Sequence, residues 1–195
     1  IASTKKEAEK IFELLDGEAM YLSTNLCPAH RREIIREMKT RLRDGKPCRV
    51  VSTSIISVGV DIDFPVVYLQ YTGLDSLIQG AGRCNREGRQ SLQKSRAHIF
   101  WTKESKKSLF MRKEKQVTDM VRKKYNTKEM TEPSAIRTYF ENWYQSNEGN
   151  LDYREIEKLA QSLSFAEIGK RFHLINDSTK SVFVPFDEKA RNIKE

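Results

Sequence analysis

The stretch SLIQGAGRCNREG, residues 76–88, sets Gln79, Gly82, Arg83 and Arg86 in the spacing Gln-x-x-Gly-Arg-x-x-Arg. On a continuous helix, positions three and four apart share a face, so this spacing would bring one amide and two guanidinium groups to one place. Gly82 beside them leaves room for a ligand or another backbone. Two planar cations and an amide suit a polyphosphate, which accepts paired hydrogen bonds from each fork. An arginine that reaches a γ-phosphate from a neighbouring lobe accelerates its transfer by roughly 10³–10⁵. A bare Arg-x-x-Arg would read as a solvated helix face; the Gln and Gly before it make the pattern more specific.

A second stretch, VVSTSIISVGVDIDFP (50–65), holds three further candidates. Thr53 ends an apolar run and can offer its hydroxyl to a backbone phosphate. Gly59 allows a tight turn close to a ligand. Asp61 offers a carboxylate to a ribose hydroxyl. A strand, a turn and a helix cap explain the same residues without any ligand, so this stretch is weak by itself.

These residues need a frame. Residues 4–16 have apolar positions at helical spacing and end before Gly17. AMYLST (19–24) reads as a strand, and Pro28 opens a helix that stops near Asp44, Gly45 and Pro47. CRVVSTS (48–54), VVYLQY (66–71) and AHIFW (97–101) read as further strands, with Asp75 placed to cap a helix from Ser76. Alternating strands and helices predict a parallel sheet flanked by helices, and the unbroken apolar runs predict burial on both faces. Ligands in such sheets bind at the carboxyl ends of the strands, where the loop after 48–54 and the helix after 66–71 both emerge.

Beyond Trp101 the pattern changes. Residues 103–125 read as a basic helix, 133–146 as a second helix and SNEGN (146–150) as a turn. Asp152, followed three residues later by Glu155, is an acidic relative of a capping box. RFHLINDSTKSVFVPF (171–186) reads as two strands joined by a polar turn. Hence three regions are expected: an α/β lobe over 1–102, a basic helical linker over 103–147 and the start of a small accessory α+β region over 148–195.

The chain has 195 residues and a net charge of +8. Much of the excess sits between Lys103 and Lys128, where ten Lys or Arg face three Asp or Glu. That stretch is either a solvated face or a polyanion contact, through residues such as Lys106, Lys107, Arg112 and Lys113. No aromatic stacking residues are evident along it, so charge is expected to dominate any contact. No apolar run is long enough to span a membrane. Three cysteines with no Cys-x-x-Cys pair argue for a reducing compartment, and a cytoplasmic location is expected. Cys27 and His30 have ligand-like spacing but no second pair to complete a site, so no metal is assigned to this chain.

Together, residues 50–65 and 76–88 resemble motifs V and VI of superfamily 2 helicases, and IASTKKEAEKIFELL at the start resembles motif IV. YLSTNLCPAHR (21–31), STSIISVGVDIDFPVVY (52–68) and DSLIQGAGRCNREG (75–88) look like the type I CRISPR-associated helicase–nuclease, and residues 164–186 resemble it less specifically. The resemblance implies that residues 1–102 are a second RecA-like lobe. It implies Arg83 and Arg86 as arginine fingers, Gln79 near the γ-phosphate or the attacking water, and Gly59 and Asp61 at the sugar. Ser3, Thr4 and Thr53 would hold phosphates of a tracking single strand of DNA. Where the family pattern carries Gln and Glu, this chain has Ser54 and Ser57.

A phosphate loop, a DExH box and a His-Asp motif are absent from the sequence. The chain therefore reads as a piece of a longer enzyme and as one wall of an ATP site, inactive by itself. Most ligands to ATP and Mg²⁺, and the nuclease metals, would lie on the first RecA-like lobe and nuclease domain. A CRISPR surveillance complex of the Cascade type is the implied partner. Two other readings stay open: a lobe of another superfamily 2 DNA or RNA helicase, and a non-enzymatic RecA-like docking module. The intact Gln79, Arg83 and Arg86 set speaks against the last, because docking gains nothing from it.

Overall fold

The computed structural model describes residues 1–15, 17–91, 93–102, 109–152, 154–173 and 180–192. The first hundred residues run α1 (Lys5–Glu13), β1 (Ala19–Leu22), α2 (Pro28–Arg43), β2 (Arg49–Ser52), β3 (Val66–Gln70), α3 (Leu74–Ala81) and β4 (Arg96–Phe100). Two strand pairs form, both parallel: β1 with β2 from Ala19 opposite Arg49, and β3 with β4 from Val66 opposite Arg96. Residues 1 and 2 bridge them. Ala2 N donates to Ser52 O at 2.8 Å, while Ile1 N donates to Tyr68 O at 2.5 Å and Ile1 O accepts from Gln70 N at 3.0 Å. The spatial order is therefore β1, β2, residues 1–2, β3, β4, and all the strand ends that carry candidate site residues face the same way.

The sheet is held by the core of Leu22, Met38, Ile56, Ile62, Phe64, Val67, Leu69, Tyr71 and Leu77. Burying one such aliphatic side chain is worth about 1.5–3 kcal/mol. Helix α3 lies close on β3 because Gly80 has no side chain: a Cβ there would sit 2.5 Å from Leu69 Cδ2. The expected burial of every strand on both faces is not met. Val66 (37%), Tyr68 (59%) and Ile99 (39%) are exposed, since α3 covers only the other face of β3. Tyr68 instead stacks on His98 across the β3–β4 pair at 5.0 Å.

Helices α4 (Leu109–Lys124) and α5 (Pro133–Asn147) pack on the lobe rather than standing away from it. Leu74 of α3, Val117 and Val121 of α4, Met130, and Ala135 and Tyr139 of α5 share one buried cluster. Among the described residues, the C-terminal region holds the short helices α6 (Ile156–Gln161), α7 (Phe165–Arg171) and α8 (Glu188–Asn192). The strand pair expected over 171–186 is not formed by the described residues, and its turn, 174–179, lies outside them. Val182, Phe183 and Val184 are exposed.

Helix starts follow local chemistry. Pro28 occupies the first turn of α2 behind Cys27 at the N-cap, and His30 stacks on Phe186 at 4.5 Å. Asp75 does not cap α3. The helix begins at Leu74 behind Gly73, and the Asp75 carboxylate accepts from the Tyr139 hydroxyl at 2.9 Å. Asp152 does serve the start of α6, accepting from Ile156 N at 2.7 Å and Glu157 N at 2.9 Å.

Candidate nucleotide and nucleic-acid site

Helix α3 ends at Ala81 with Gly82 as its C-cap, so only Gln79 of the motif is helical. The continuous face expected through Arg86 therefore does not form. Cys84 bridges to Phe64, and Asn85 takes a left-handed φ of +48°, which turns the chain away from the helix axis. Gly82 itself has a negative φ, and a Cβ there would make only ordinary contacts with the Gln79 and Ile78 carbonyls. Internal packing does not require glycine at that exposed position.

What forms instead is a two-loop joint. Arg83 Nη1 donates to Val60 O at 2.7 Å and Nη2 to Ser57 O at 2.9 Å. Arg86 Nε lies 3.3 Å from Asp61 Oδ1, and the Arg86 backbone N–H donates to Asp63 Oδ1 at 2.7 Å. The backbones tie as well, Phe64 N to Arg83 O at 2.9 Å and Asn85 N to Phe64 O at 2.8 Å. Gly59, at φ +72°, makes the turn whose carbonyls Arg83 grips. Arg83, Arg86, Gly59 and Asp61 are thus brought together. Asp61 meets Arg86 where the sequence reading gave it a ribose hydroxyl.

The two arginines are held differently. Burial, and secondarily the neighbouring Arg86 cation, lower the pKa of the Arg83 guanidinium, against the pull of Asp61. Its Nε is buried with no acceptor, leaving one directed donor unused. Arg86 is 42% exposed in its side chain and its ion pair is with a still more exposed carboxylate. Such a pair is worth at most about 1 kcal/mol.

Gln79 goes elsewhere. It is exposed and lines a cavity of about 200 Å³ at the carboxyl ends of the strands, with Ser3, Ser54, Ser57, Thr72 and Glu114. Ser57 is common to both places, its carbonyl under Arg83 and its body in the cavity wall. The two serines that depart from the family pattern therefore both line this cavity.

The expected phosphate-binding hydroxyls are partly committed. Thr4 caps α1: its Oγ1 accepts from Glu7 N at 3.2 Å and donates to Glu7 Oε2 at 3.0 Å. The first of these is the N-cap half of a capping box, whose signal is present in the spacing Thr4-x-x-Glu7. Thr53 is buried at the end of β2, behind the turn that begins at Ser54. Ser3 Oγ is buried in the cavity wall without a partner. Beneath them runs a network that sequence reasoning missed. Gln70 Nε2 donates to Glu7 Oε1 and to Thr102 Oγ1, both at 2.7 Å, and Ser3 N donates to Gln70 Oε1 at 2.7 Å. A Gln inside an apolar strand run was the available sign of it.

Of the basic helix residues, Lys113 fastens α4 to α5, donating to Asn147 Oδ1 at 3.1 Å and Ser146 O at 3.4 Å. Arg112 lies on α4, and Lys106 and Lys107 fall outside the described residues. Glu114, also on α4, has its carboxyl pushed up to about 7 by burial and by the neighbouring Asp75. Among the described residues no group of three or more His, Cys, Asp or Glu could hold a metal ion. No helix there is long and apolar enough to cross a membrane.

The chain has counterparts among known proteins. Residues 1–89 match the family described as "CRISPR-associated nuclease/helicase Cas3, C-terminal". The Cas3 of Methanothermobacter thermautotrophicus is 26% identical over 182 residues, 83% of this chain and 22% of that protein. The Cas3 of Haloferax volcanii is 37% identical over 65 residues, 33% of this chain and 7% of that protein. Among solved structures, Cas3 of T. fusca with ADP superposes with a TM-score of 0.58 at 16% identity, covering 87% of this chain and 22% of that one. A chain of a "CRISPR RNA-guided surveillance complex, pre-nicking" gives 0.54 at 16% identity, covering 86% of this chain and 23% of that one. The two structural likenesses show a shared fold. The chain thus spans about a fifth of the Cas3 proteins it matches over most of its length.

Proposed function

We propose that this chain is the C-terminal RecA-like lobe of an ATP-driven DNA helicase–nuclease of type I CRISPR interference. In this reading it forms one wall of the ATP site and part of the path of a single DNA strand. The observation that carries the proposal is the joint in which Arg83 grips Ser57 O and Val60 O while Arg86 meets Asp61. It ties the loop that would meet the sugar to the loop that would meet the phosphates. Movement of either loop would be felt by both.

The residues fit a nucleotide as a wall fits a cleft. Arg83 has an unused buried donor at Nε, and Arg86 is exposed and held by one weak pair. Arg86 could therefore exchange Asp61 for a phosphate oxygen at small cost, and the released Asp61 could take a ribose hydroxyl. Gln79, at the mouth of the neighbouring cavity, would orient water or the terminal phosphate. Gly82 leaves space for close approach. Structures of T. fusca Cas3 carry ATP, ADP and AMPPNP in their names, which supports nucleotide binding at the shared fold. Most ligands to Mg²⁺ are assigned to the first lobe. That lobe, the nuclease domain and a surveillance complex are the proposed partners, and the cytoplasm the proposed setting.

The strand path would run over Ser3 and Thr53 at the carboxyl ends of the sheet and along the basic face of α4. Thr4 would act there by fixing the start of α1 rather than by a free hydroxyl. The test is DNA-stimulated ATP turnover of the natural full-length protein carrying Gln79→Ala, Arg83→Ala or Arg86→Ala. Either arginine variant should lose about 10³-fold or more in turnover, with Gln79→Ala milder and nucleotide binding little changed. Parental turnover in both arginine variants would refute the reading.

A further inference from the structure

We propose that Trp101, backed by Tyr71 and flanked by Lys115 and Arg122, is a stacking platform for a base of a single-stranded nucleic acid. The inference rests on the helicase-lobe reading and adds a contact surface to it. Tyr71 and Trp101 are the first residues past β3 and β4. Tyr71 N donates to Phe100 O at 2.9 Å, which carries the strand pairing one step further and sets the two side chains next to each other. Their ring centroids lie 5.2 Å apart.

Helix α4 fixes this pair and supplies its charge. The Tyr71 hydroxyl donates to Asp119 Oδ1 at 2.5 Å, and Thr118 Oγ1 donates to Thr72 O at 3.1 Å. Arg122 Cζ lies 5.9 Å from the centroids of both rings, and Lys115 Nζ lies 5.8 Å from that of Tyr71. Tyr71 is buried, whereas Trp101 keeps 59% of its surface exposed. A rigid backing, an open indole and adjacent cations make up what stacks a base and holds its phosphate. Arg122 is followed by Lys123 and Lys124, so the surround favours a polyanion.

Position supports the same occupant. Counting strands from β2 through residues 1–2 and β3 to β4, Trp101 lies three steps from Thr53, about 14 Å at the usual spacing. A strand held at Ser3 and Thr53 reaches Trp101 within a few nucleotides. The ends of β3 and β4 provide a stacking residue beside the basic helix.

The experiment measures binding of the natural full-length protein to a labelled oligo-dT and to an abasic oligonucleotide of equal length and charge. Trp101→Ala should weaken dT binding about five- to a hundredfold and leave abasic binding unchanged. Trp101→Leu, which keeps apolar bulk without a π-face, should lose as much, and Trp101→Phe should recover most of it. Leu binding dT like the parent, or equal losses on both oligonucleotides, would overturn the platform. So would a loss confined to association with a protein partner. If the unsubstituted protein binds neither oligonucleotide, the helicase-lobe reading fails too; if it binds and Trp101→Ala matches it, only the platform fails.

Discussion

Arg83 and Arg86 are three residues apart and do different mechanical work. Arg83 fixes two backbone carbonyls from a half-buried position, and well-buried hydrogen bonds to a charged group contribute about 1.5–3 kcal/mol each. Partial exposure reduces this, so Arg83→Ala should destabilise the lobe by about 1–2 kcal/mol, lowering the melting midpoint by roughly 2–8 °C. Arg86→Ala should lie within about 1 kcal/mol of the parent. Thermal melting of both variants checks this, and equal shifts would mean that the joint does not depend on Arg83. The residue types of the site were legible in Gln-x-x-Gly-Arg-x-x-Arg. Their convergence was not, because spacing rules assume a helix that continues, and here Gly82 and Asn85 end it. Thr4 shows the reverse case: its cap was written in the sequence and a ligand role was assigned over it.

At the scale of elements, the strands and the first helices were readable from β-branched runs, Pro28 and Gly45. The packing of α4 and α5 on α3 was not, since it rests on contacts between segments far apart in sequence. One consequence is pH dependence. The Glu114 carboxyl is pushed up to about 7 against an ordinary 4.5, so the folded state holds a proton that the unfolded chain has released between those values. Stability contributed at this position is present at low pH and lost as pH rises through about 7. Glu114→Gln should flatten that part of the stability–pH curve in chemical denaturation from pH 5 to 8. Gly80→Ala should push α3 off Leu69 and cost about 1–3 kcal/mol. For the basic helix, replacing Lys106, Lys107 and Lys113 with Ala should flatten the salt dependence of single-strand binding, by roughly 0.7 for each phosphate that is no longer neutralised. Because Lys113 also fastens α5, its single variant should cost stability as well, which a melting curve separates from binding.

For the whole molecule, the fold places Ser3, Thr53 and Gln79 at one end of a parallel sheet and Gly59, Asp61, Arg83 and Arg86 in the joint beside it, with no phosphate loop in the 195 residues. An α/β lobe was predictable from alternation alone. The order of the sheet was not, because residues 1–2 join the two strand pairs through hydrogen bonds that no periodicity reveals. In the proposed helicase, this chain is one wall of a site completed by another lobe. Residues 1–195 alone should show no ATP turnover above background, and the natural full-length protein should turn over ATP faster when single-stranded DNA is added. The most direct test is that DNA-stimulated turnover in full-length Arg86→Ala, a substitution expected to leave the fold intact. The account predicts a loss of about 10³-fold or more, poorly restored by Arg86→Lys, with nucleotide binding nearly unchanged. Turnover equal to the parent's in a folded Arg86→Ala protein would contradict it.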